Sequence, residues 1–171
     1  MIKRVFDAVG LVGQWLAWSA MSLLGLLVLL VTLDVVMRNI GFKPLAWIPD
    51  AAEYILLYAA FLPAGALVRS KGHVFVEFIR EALPAGAKRL LERGVYLACA
   101  VICAYLAWVA SVHFFAVIRS GAYDTRAFDM PRWLVFLPMA LGLWLASLEW
   151  LRFLCGHDSM YVIDPLKMDG Y

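Results

Sequence analysis

Charged residues are scarce in this sequence, and the common catalytic motifs are missing from it. Only 16% of the 171 residues are Asp, Glu, Lys or Arg, against roughly a quarter in an average soluble domain. No GxSxG, HExxH or GxxxxGK[ST] segment occurs, so the signatures of serine hydrolases, zinc peptidases and P-loop enzymes are absent. We therefore expect neither an enzyme nor a soluble domain.

Cysteine is also rare, and its spacing does not suggest a metal site. Cys99 and Cys103 lie one helical turn apart in an apolar block, and Cys155 lies near the end of another. None of them forms a CxxC pair, and Cys often serves as a small buried apolar residue. We expect no structural disulfide, no metal and no cofactor. The formal net charge of +2 is spread along the chain, which argues against nucleic-acid binding.

Apolar residues dominate the composition, at 64% of the chain with a mean hydropathy of +0.81. About 20 apolar residues cross the hydrocarbon core of a bilayer as a helix. The uncharged stretches predict an all-α membrane protein forming a single domain over residues 1–171, with transmembrane helices at about 12–37, 49–68, 94–118 and 131–152. Pro63 predicts a kink in the second, and Asp129 followed by Pro131 predicts the start of the fourth.

The amino terminus raises the question of a secretory signal, because Lys3 and Arg4 precede a long apolar stretch. That stretch has 26 uncharged residues, from Ala8 to Leu33, whereas the apolar region of a signal peptide has about 7 to 15. The length favours a retained first span.

The segment between the second and third spans is amphipathic. Glu77, Arg80 and Glu81 share a helical face with His73, and apolar residues occupy much of the remainder. This pattern predicts an interfacial helix at about 74–92, lying in the headgroup layer; an ordinary solvated loop is the alternative. Residues 156–171 are predicted to form a short polar tail.

The basic residues indicate an orientation. With four spans, the two termini and the middle loop share one side of the membrane, and that side holds ten of the fifteen Lys and Arg residues. The positive-inside rule then predicts that both termini are cytoplasmic.

Ionisable residues near the helix ends are the candidates for a functional role. Asp34 and Arg38 are four residues apart, so they share a face and can pair, and Glu53 opens the next helix where it can face Arg38. A salt-bridged cluster that fixes the hairpin is one interpretation, and a proton or ion relay is the other. Glu149 and Arg152 are spaced for an interfacial ion pair.

Two other functional classes are alternatives for this sequence. A haem-bearing membrane anchor of a redox enzyme needs two histidines on facing helices, but only His113 lies within a predicted span. A small autonomous exporter is the other alternative, although no acidic residue occurs near the middle of a predicted span.

The stretch from Arg38 to Glu77 resembles the small membrane subunit (the DctQ-like Q subunit) of tripartite ATP-independent periplasmic (TRAP) transporters. The matching residues are Arg38, Gly41, Trp47, Asp50, Glu53, Tyr54, Phe61, Gly65, Ala66, Arg69, Gly72, His73, Val76 and Glu77, then Leu83-Pro84, with Gly121, Pro131-Arg132-Trp133 and Leu141-Gly142 further on. The resemblance implies a heteromeric symporter complex in the bacterial inner membrane, where a periplasmic binding protein delivers an organic acid to a large subunit that holds the substrate and sodium sites.

The resemblance also implies that this subunit braces the large one and helps to dock the binding protein. Three groups of residues are therefore candidates. They are a structural charge cluster of Asp34, Arg38, Asp50 and Glu53, an interfacial-helix motif of Arg69, Gly72, His73 and Glu77, and a docking set of Lys43, Asp124 and Arg126 in the two loops on the side opposite the termini.

Overall fold

A computed structural model describes residues 2–43, 45–72, 84–125 and 129–156 of the chain. Five helices and one short hairpin make up this part. In chain order they are α1 (Ile2–Asn39), α2 (Ile48–Phe61), α3 (Ala64–Arg69), α4 (Ala85–Ser120), β1 (Tyr123–Thr125), β2 (Asp129–Pro131) and α5 (Trp133–Leu154).

The described residues contain four helical stretches that are long and apolar enough to cross a bilayer, which confirms the predicted number of spans. The first and third are longer than expected. α1 extends over 38 residues and α4 over 36, or about 57 and 54 Å at 1.5 Å per residue. Both therefore extend beyond a hydrocarbon core of about 30 Å.

The predicted interfacial helix at 74–92 is not confirmed. Residues 85–92 belong to α4 and continue without interruption into the third span, so this part is the beginning of a long helix. Pro84 precedes this helix with an extended backbone. Residues 74–83 of that prediction lie outside the described residues, as does the predicted tail from residue 157 onward.

The second span is interrupted at Pro63, as predicted. α2 ends at Phe61 and α3 begins at Ala64, with Leu62 and Pro63 between them. Proline lacks the amide hydrogen that a continuous helix needs at this position, and its ring crowds the preceding turn. The two helices together still form one span, Ile48–Arg69.

The predicted start of the fourth span is wrong by two residues. Asp129 and Pro131 belong to β2, which pairs antiparallel with β1 so that Thr125 lies opposite Asp129. α5 begins at Trp133, and the residue before it, Arg132, makes no side-chain capping hydrogen bond. Asp129 is therefore a strand residue and not the helix cap, because hairpin pairing determines the local backbone here.

α5 occupies the centre of the bundle and contacts α1, α2, α3 and α4. Its buried residues include small ones that allow close approach, among them Ala140, Gly142 and Ala146. Polar contacts join it to α4 as well: Ser147 Oγ donates to the Ala100 carbonyl at 3.1 Å, and Trp144 Nε1 donates to Ser111 Oγ at 3.1 Å.

The core lies between α3, α4 and α5, towards the end of the bundle where α1 begins. It consists of Val68, Tyr96, Ala100, Ala146, Trp150 and Phe153. Three of these are aromatic, and the ring centroids of Tyr96 and Phe153 are 5.6 Å apart. The outward faces of α1 and α4 expose large apolar side chains instead, such as Trp15, Trp18, Tyr105 and Trp108, as expected for helices whose surroundings are lipid or another apolar protein.

Candidate functional site

A polar cluster among the described residues joins three helices at the end of the bundle where α1 begins. We call it the Arg69 cluster; its members are Arg69 of α3, Glu149 and Arg152 of α5, and Asp7 of α1. Arg69 Nη1 lies 3.2 Å from Glu149 Oε1, and Arg152 Nε lies 2.8 Å from Glu149 Oε2. Asp7 Oδ1 is more distant, at 3.8 Å from Arg69 Nη2. The positive charges of the two arginines thus balance the negative charges of the two carboxylates within one site.

Burial makes this cluster energetically important. The Glu149 side chain is 1% exposed, and an isolated buried carboxylate is strongly disfavoured because it loses its hydration. Arginines on both sides of the carboxylate compensate for that loss, one from its own helix and one from α3. Removal of one partner from such a pair costs more than the pair itself contributes.

A glycine on α1 lets Arg69 reach the first helix. Arg69 Nη1 donates a hydrogen bond to the Phe6 carbonyl at 2.8 Å, and a methyl group at Gly10 would overlap the guanidinium. The absence of a side chain at Gly10 is therefore what allows the arginine to lie against the α1 backbone. Gly13, one turn further, brings α1 close to the backbone of Ala66.

A second group, which we call the Asp34 cluster, consists of Asp34, Arg38 and the Leu45 amide and lies at the opposite end of α1. Asp34, which is 5% exposed, forms an ion pair with Arg38 at 2.6 Å and accepts a hydrogen bond from the Leu45 amide at 3.1 Å. One carboxylate thus links the end of α1 to the connection that leads into α2. The predicted pairing of Asp34 with Arg38 is present.

Asp50 and Glu53 lie in the first two turns of α2, where the sequence placed them. Both have interaction partners, Asp50 being half-buried and Glu53 exposed. Their membership of one structural cluster with Asp34 and Arg38 stays a prediction.

Two of the docking candidates, Lys43 and Asp124, lie on the connections beyond the Asp34 end of the bundle. Lys43 is exposed. Asp124, on β1, pairs across the hairpin with Arg132 at 3.3 Å. Because of this pairing, its carboxylate has a structural role in the hairpin in addition to any contact with a partner. Arg126 lies outside the described residues.

Two residues of the predicted interfacial-helix motif, Arg69 and Gly72, lie in the described part of the chain, and they have different roles. Arg69 belongs to the Arg69 cluster described above. Gly72 follows the end of α3, where its amide donates to the Leu67 carbonyl and Lys71 has a positive φ of 60°, a common way to end a helix. His73 and Glu77 lie outside the described residues.

Sequence reasoning missed the contact between Arg69 and Glu149. A signal for it was available: Arg69 ends the second span and Glu149 lies near the end of the fourth, and both of these helices run in the same direction. The two residues therefore lie at a similar depth on the same side. The predicted pair of Glu149 with Arg152 is present, although it is buried and not merely interfacial.

His113 is the histidine within the described residues, and its ring stacks on Phe136 with centroids 5.6 Å apart. Among the same residues, no group of three or more His, Cys, Asp or Glu side chains is arranged to hold a metal ion. The geometry of the described chain is thus that of helix ends joined by ion pairs.

Comparison with known families identifies the family of this chain. The model of the family described as tripartite ATP-independent periplasmic transporters, DctQ component, matches residues 27–157. No curated protein sequence matches the chain. The matched region contains α2 to α5 and the Asp34 end of α1, and so includes most residues of both charge clusters.

Proposed function

The chain belongs to the DctQ component family of tripartite ATP-independent periplasmic transporters, and from that membership we propose that it is the scaffold subunit of a sodium-coupled importer of an organic acid. Members of this family are transporter subunits and not enzymes. In the proposed complex, a periplasmic binding protein delivers the substrate and a large membrane subunit carries it across. This chain braces that large subunit and contributes to docking.

The observation that supports a bracing role most strongly is where the buried charges lie. Glu149 and Asp34 are both almost fully buried, and each is at a helix end, paired with arginine. A carrier that handles ions or acids usually places ionisable groups near the middle of the membrane, facing a cavity. Here they join α1 to α3 and α5 at one end, and α1 to the connection before α2 at the other.

Close packing supports the same interpretation. A methyl group at Gly142 would overlap the Phe61 carbonyl oxygen, and one at Gly65 would lie 2.8 Å from Leu145 Cβ. α2 and α3 therefore contact α5 almost backbone to backbone. Interfaces of small residues are the means by which membrane helices pack without a hydrophobic driving force. A bundle joined in this way is suited to remain in one conformation while a neighbouring subunit moves.

The protein is a multi-pass membrane protein, with four helices that can span the bilayer. We propose that it lies in a bacterial inner membrane with both termini in the cytoplasm, which places the Arg69 cluster on the cytoplasmic side. The Asp34 cluster and the β1–β2 hairpin then face the periplasm, where a binding protein approaches. The exposed apolar faces of α1 and α4 are the surfaces available to the large subunit and to lipid.

The bracing role predicts that uptake and assembly depend together on the Asp34 end of the bundle. We expect Arg38→Gln and Glu53→Gln to reduce the amount of large subunit that copurifies, and to reduce substrate uptake in proportion. Arg119→Gln is the control, because Arg119 is an exposed arginine in the last turn of α4, at the Asp34 end of the bundle. It should change neither the copurified amount of large subunit nor the uptake. Loss of uptake with assembly and binding-protein docking intact would instead indicate a role in transport itself.

The docking role predicts a charge effect confined to the proposed periplasmic side. Lys43→Glu and Arg126→Glu should weaken capture of the binding protein by the assembled complex, because charged groups steer protein association. Lys88→Glu, at the other end of the bundle, is the matched control. Asp124→Arg should also weaken capture, but it removes the pair with Arg132, so it is compared with the exchange Asp124→Arg/Arg132→Asp. Unchanged capture in the Lys43 and Arg126 variants would contradict the proposed docking surface.

A further inference from the structure

A groove lies between the beginning of α4 and the end of α5, outside both charge clusters. Its volume is about 430 Å³, and the residues lining it include Arg89, Glu92 and Arg93 of α4 together with Phe153 and Cys155 from the end of α5. Buried Tyr96 and Phe153 form an aromatic floor. A bracing role does not account for this groove.

The charge of the groove is positive. Arg89 and Arg93 are four residues apart, so both lie on the same face of α4, and both are exposed. Within the described residues, no ion pair or hydrogen bond engages either guanidinium, in contrast to Arg69 and Arg152. The segment from Pro84 to Arg93, at the beginning of α4, has three basic residues and one acidic residue.

The depth of the groove matches that of lipid phosphates. Residues 94–118 of α4 carry no formal charge, and Arg119 follows them. From Arg93 to Arg119 the helix rises about 39 Å, close to the thickness of a bilayer that includes its headgroups, about 40–45 Å. When Arg119 lies at one interface, Arg89 and Arg93 therefore lie in the headgroup layer of the other.

The surface next to the arginines is apolar in the direction of the membrane. Continuing from Arg89 and Arg93 in steps of four residues, the same stripe of α4 reaches Leu97 and Val101, which are 51% and 58% exposed. An occupant with an anionic head and an apolar tail would therefore meet cations first and aliphatic side chains beyond them. A soluble anion would use only the first part of this surface.

We propose that the groove between α4 and α5 binds an anionic phospholipid. Arg89 and Arg93 contact the phosphate, for which the planar guanidinium is well suited, and an acyl chain lies along Leu97 and Val101. Basic grooves between transmembrane helices are a recurring way to bind lipid headgroups. A bound lipid would fill the space between the two helix ends beside the core of Tyr96, Trp150 and Phe153.

Native mass spectrometry of the full-length chain in detergent tests this proposal. Phosphatidylglycerol and phosphatidylcholine with identical acyl chains are titrated separately into the wild type, Arg89→Gln/Arg93→Gln and Arg119→Gln. We expect the wild type to retain phosphatidylglycerol in preference to phosphatidylcholine. The double variant should bind phosphatidylglycerol at least about tenfold more weakly, since hydrogen bonds to charged groups are worth that factor or more. Arg119→Gln, at the far end of the same helix, should behave as the wild type.

Three results would overturn the proposal. They are equal retention of the two lipids by the wild type, equal retention of phosphatidylglycerol by the wild type and the double variant, and displacement of bound phosphatidylglycerol by a large excess of inorganic phosphate. The last would show that a free anion, and not a lipid, is the ligand. Because both arginines are exposed, the melting temperature of the lipid-free double variant should match that of the wild type, which separates lost binding from misfolding. None of these outcomes depends on transport activity.

Discussion

Glu149 shows, at the scale of single residues, how a charge is accommodated inside this protein. Its carboxylate is 1% exposed and lies between Arg69 at 3.2 Å and Arg152 at 2.8 Å. Arg152 is also held by packing, since its guanidinium carbon lies 4.9 Å from the centroid of the Phe153 ring. The carboxylate is therefore tolerated only because the two arginines accompany it, and Arg69 reaches it from another helix.

This arrangement predicts strong coupling between Arg69 and Glu149. Each of Arg69→Gln and Glu149→Gln should lower the free energy of unfolding by about 1–3 kcal/mol, because the first leaves the buried Glu149 carboxylate with Arg152 as its one arginine and the second removes the carboxylate that both arginines contact. The double variant should lose less than the sum, by at least about 1 kcal/mol. Thermal unfolding of the four proteins in one detergent measures the cycle, with Arg119→Gln as a control for loss of a surface arginine. Additive losses would show that the two side chains do not interact.

At the scale of elements, the break at Pro63 determines how the second span meets the centre of the bundle. α2 ends at Phe61, whose carbonyl oxygen lies where a side chain at Gly142 would be. The two features are complementary, since an interrupted helix end approaches a position of α5 that has no side chain. The glycine is required here by close approach and not by an unusual backbone angle.

Gly142→Ala should therefore separate α2 from α5. We expect a loss of about 1–3 kcal/mol in the free energy of unfolding, the usual cost of adding a methyl group to a well-packed site. Gly25→Ala is the matched control, because Gly25 lies in α1 and a methyl group there meets nothing within 4 Å; it should be neutral or slightly stabilising. Equal melting temperatures for the two variants would contradict the described packing.

The positions of the helices could be predicted from the sequence, but the contacts between residues of different helices could not. Length and uncharged runs indicated four spans, and Pro63 indicated the interruption, because both depend on local chemistry. The start of α5 was misplaced because Asp129 pairs with Thr125 in a hairpin, a contact that the cap pattern does not encode. The spacing of Asp34 and Arg38 revealed their pair, whereas Arg69 and Glu149 are 80 residues apart and meet only through the packing of α3 on α5.

At the scale of the whole molecule, α5 forms the centre, two charge clusters join the helix ends, and the outer faces of α1 and α4 are apolar. This distribution separates an inner part with many cross-helix contacts from a surface that lipid or a larger subunit covers. Membership of the DctQ family makes the chain one component of a transporter. The proposed bracing role adds that this component keeps its shape during the transport cycle.

Distances between spin labels in the assembled transporter test this claim most directly. With Cys99, Cys103 and Cys155 replaced by serine, one label pair is placed at Val12 and Ile102, exposed positions of α1 and α4. A second pair joins Ile102 to the part of the large subunit that is proposed to move during transport. We predict that sodium and substrate leave the distance within this chain unchanged while the distance to the large subunit shifts by several ångströms. A comparable shift within this chain, or substrate bound to this chain alone, would contradict the account.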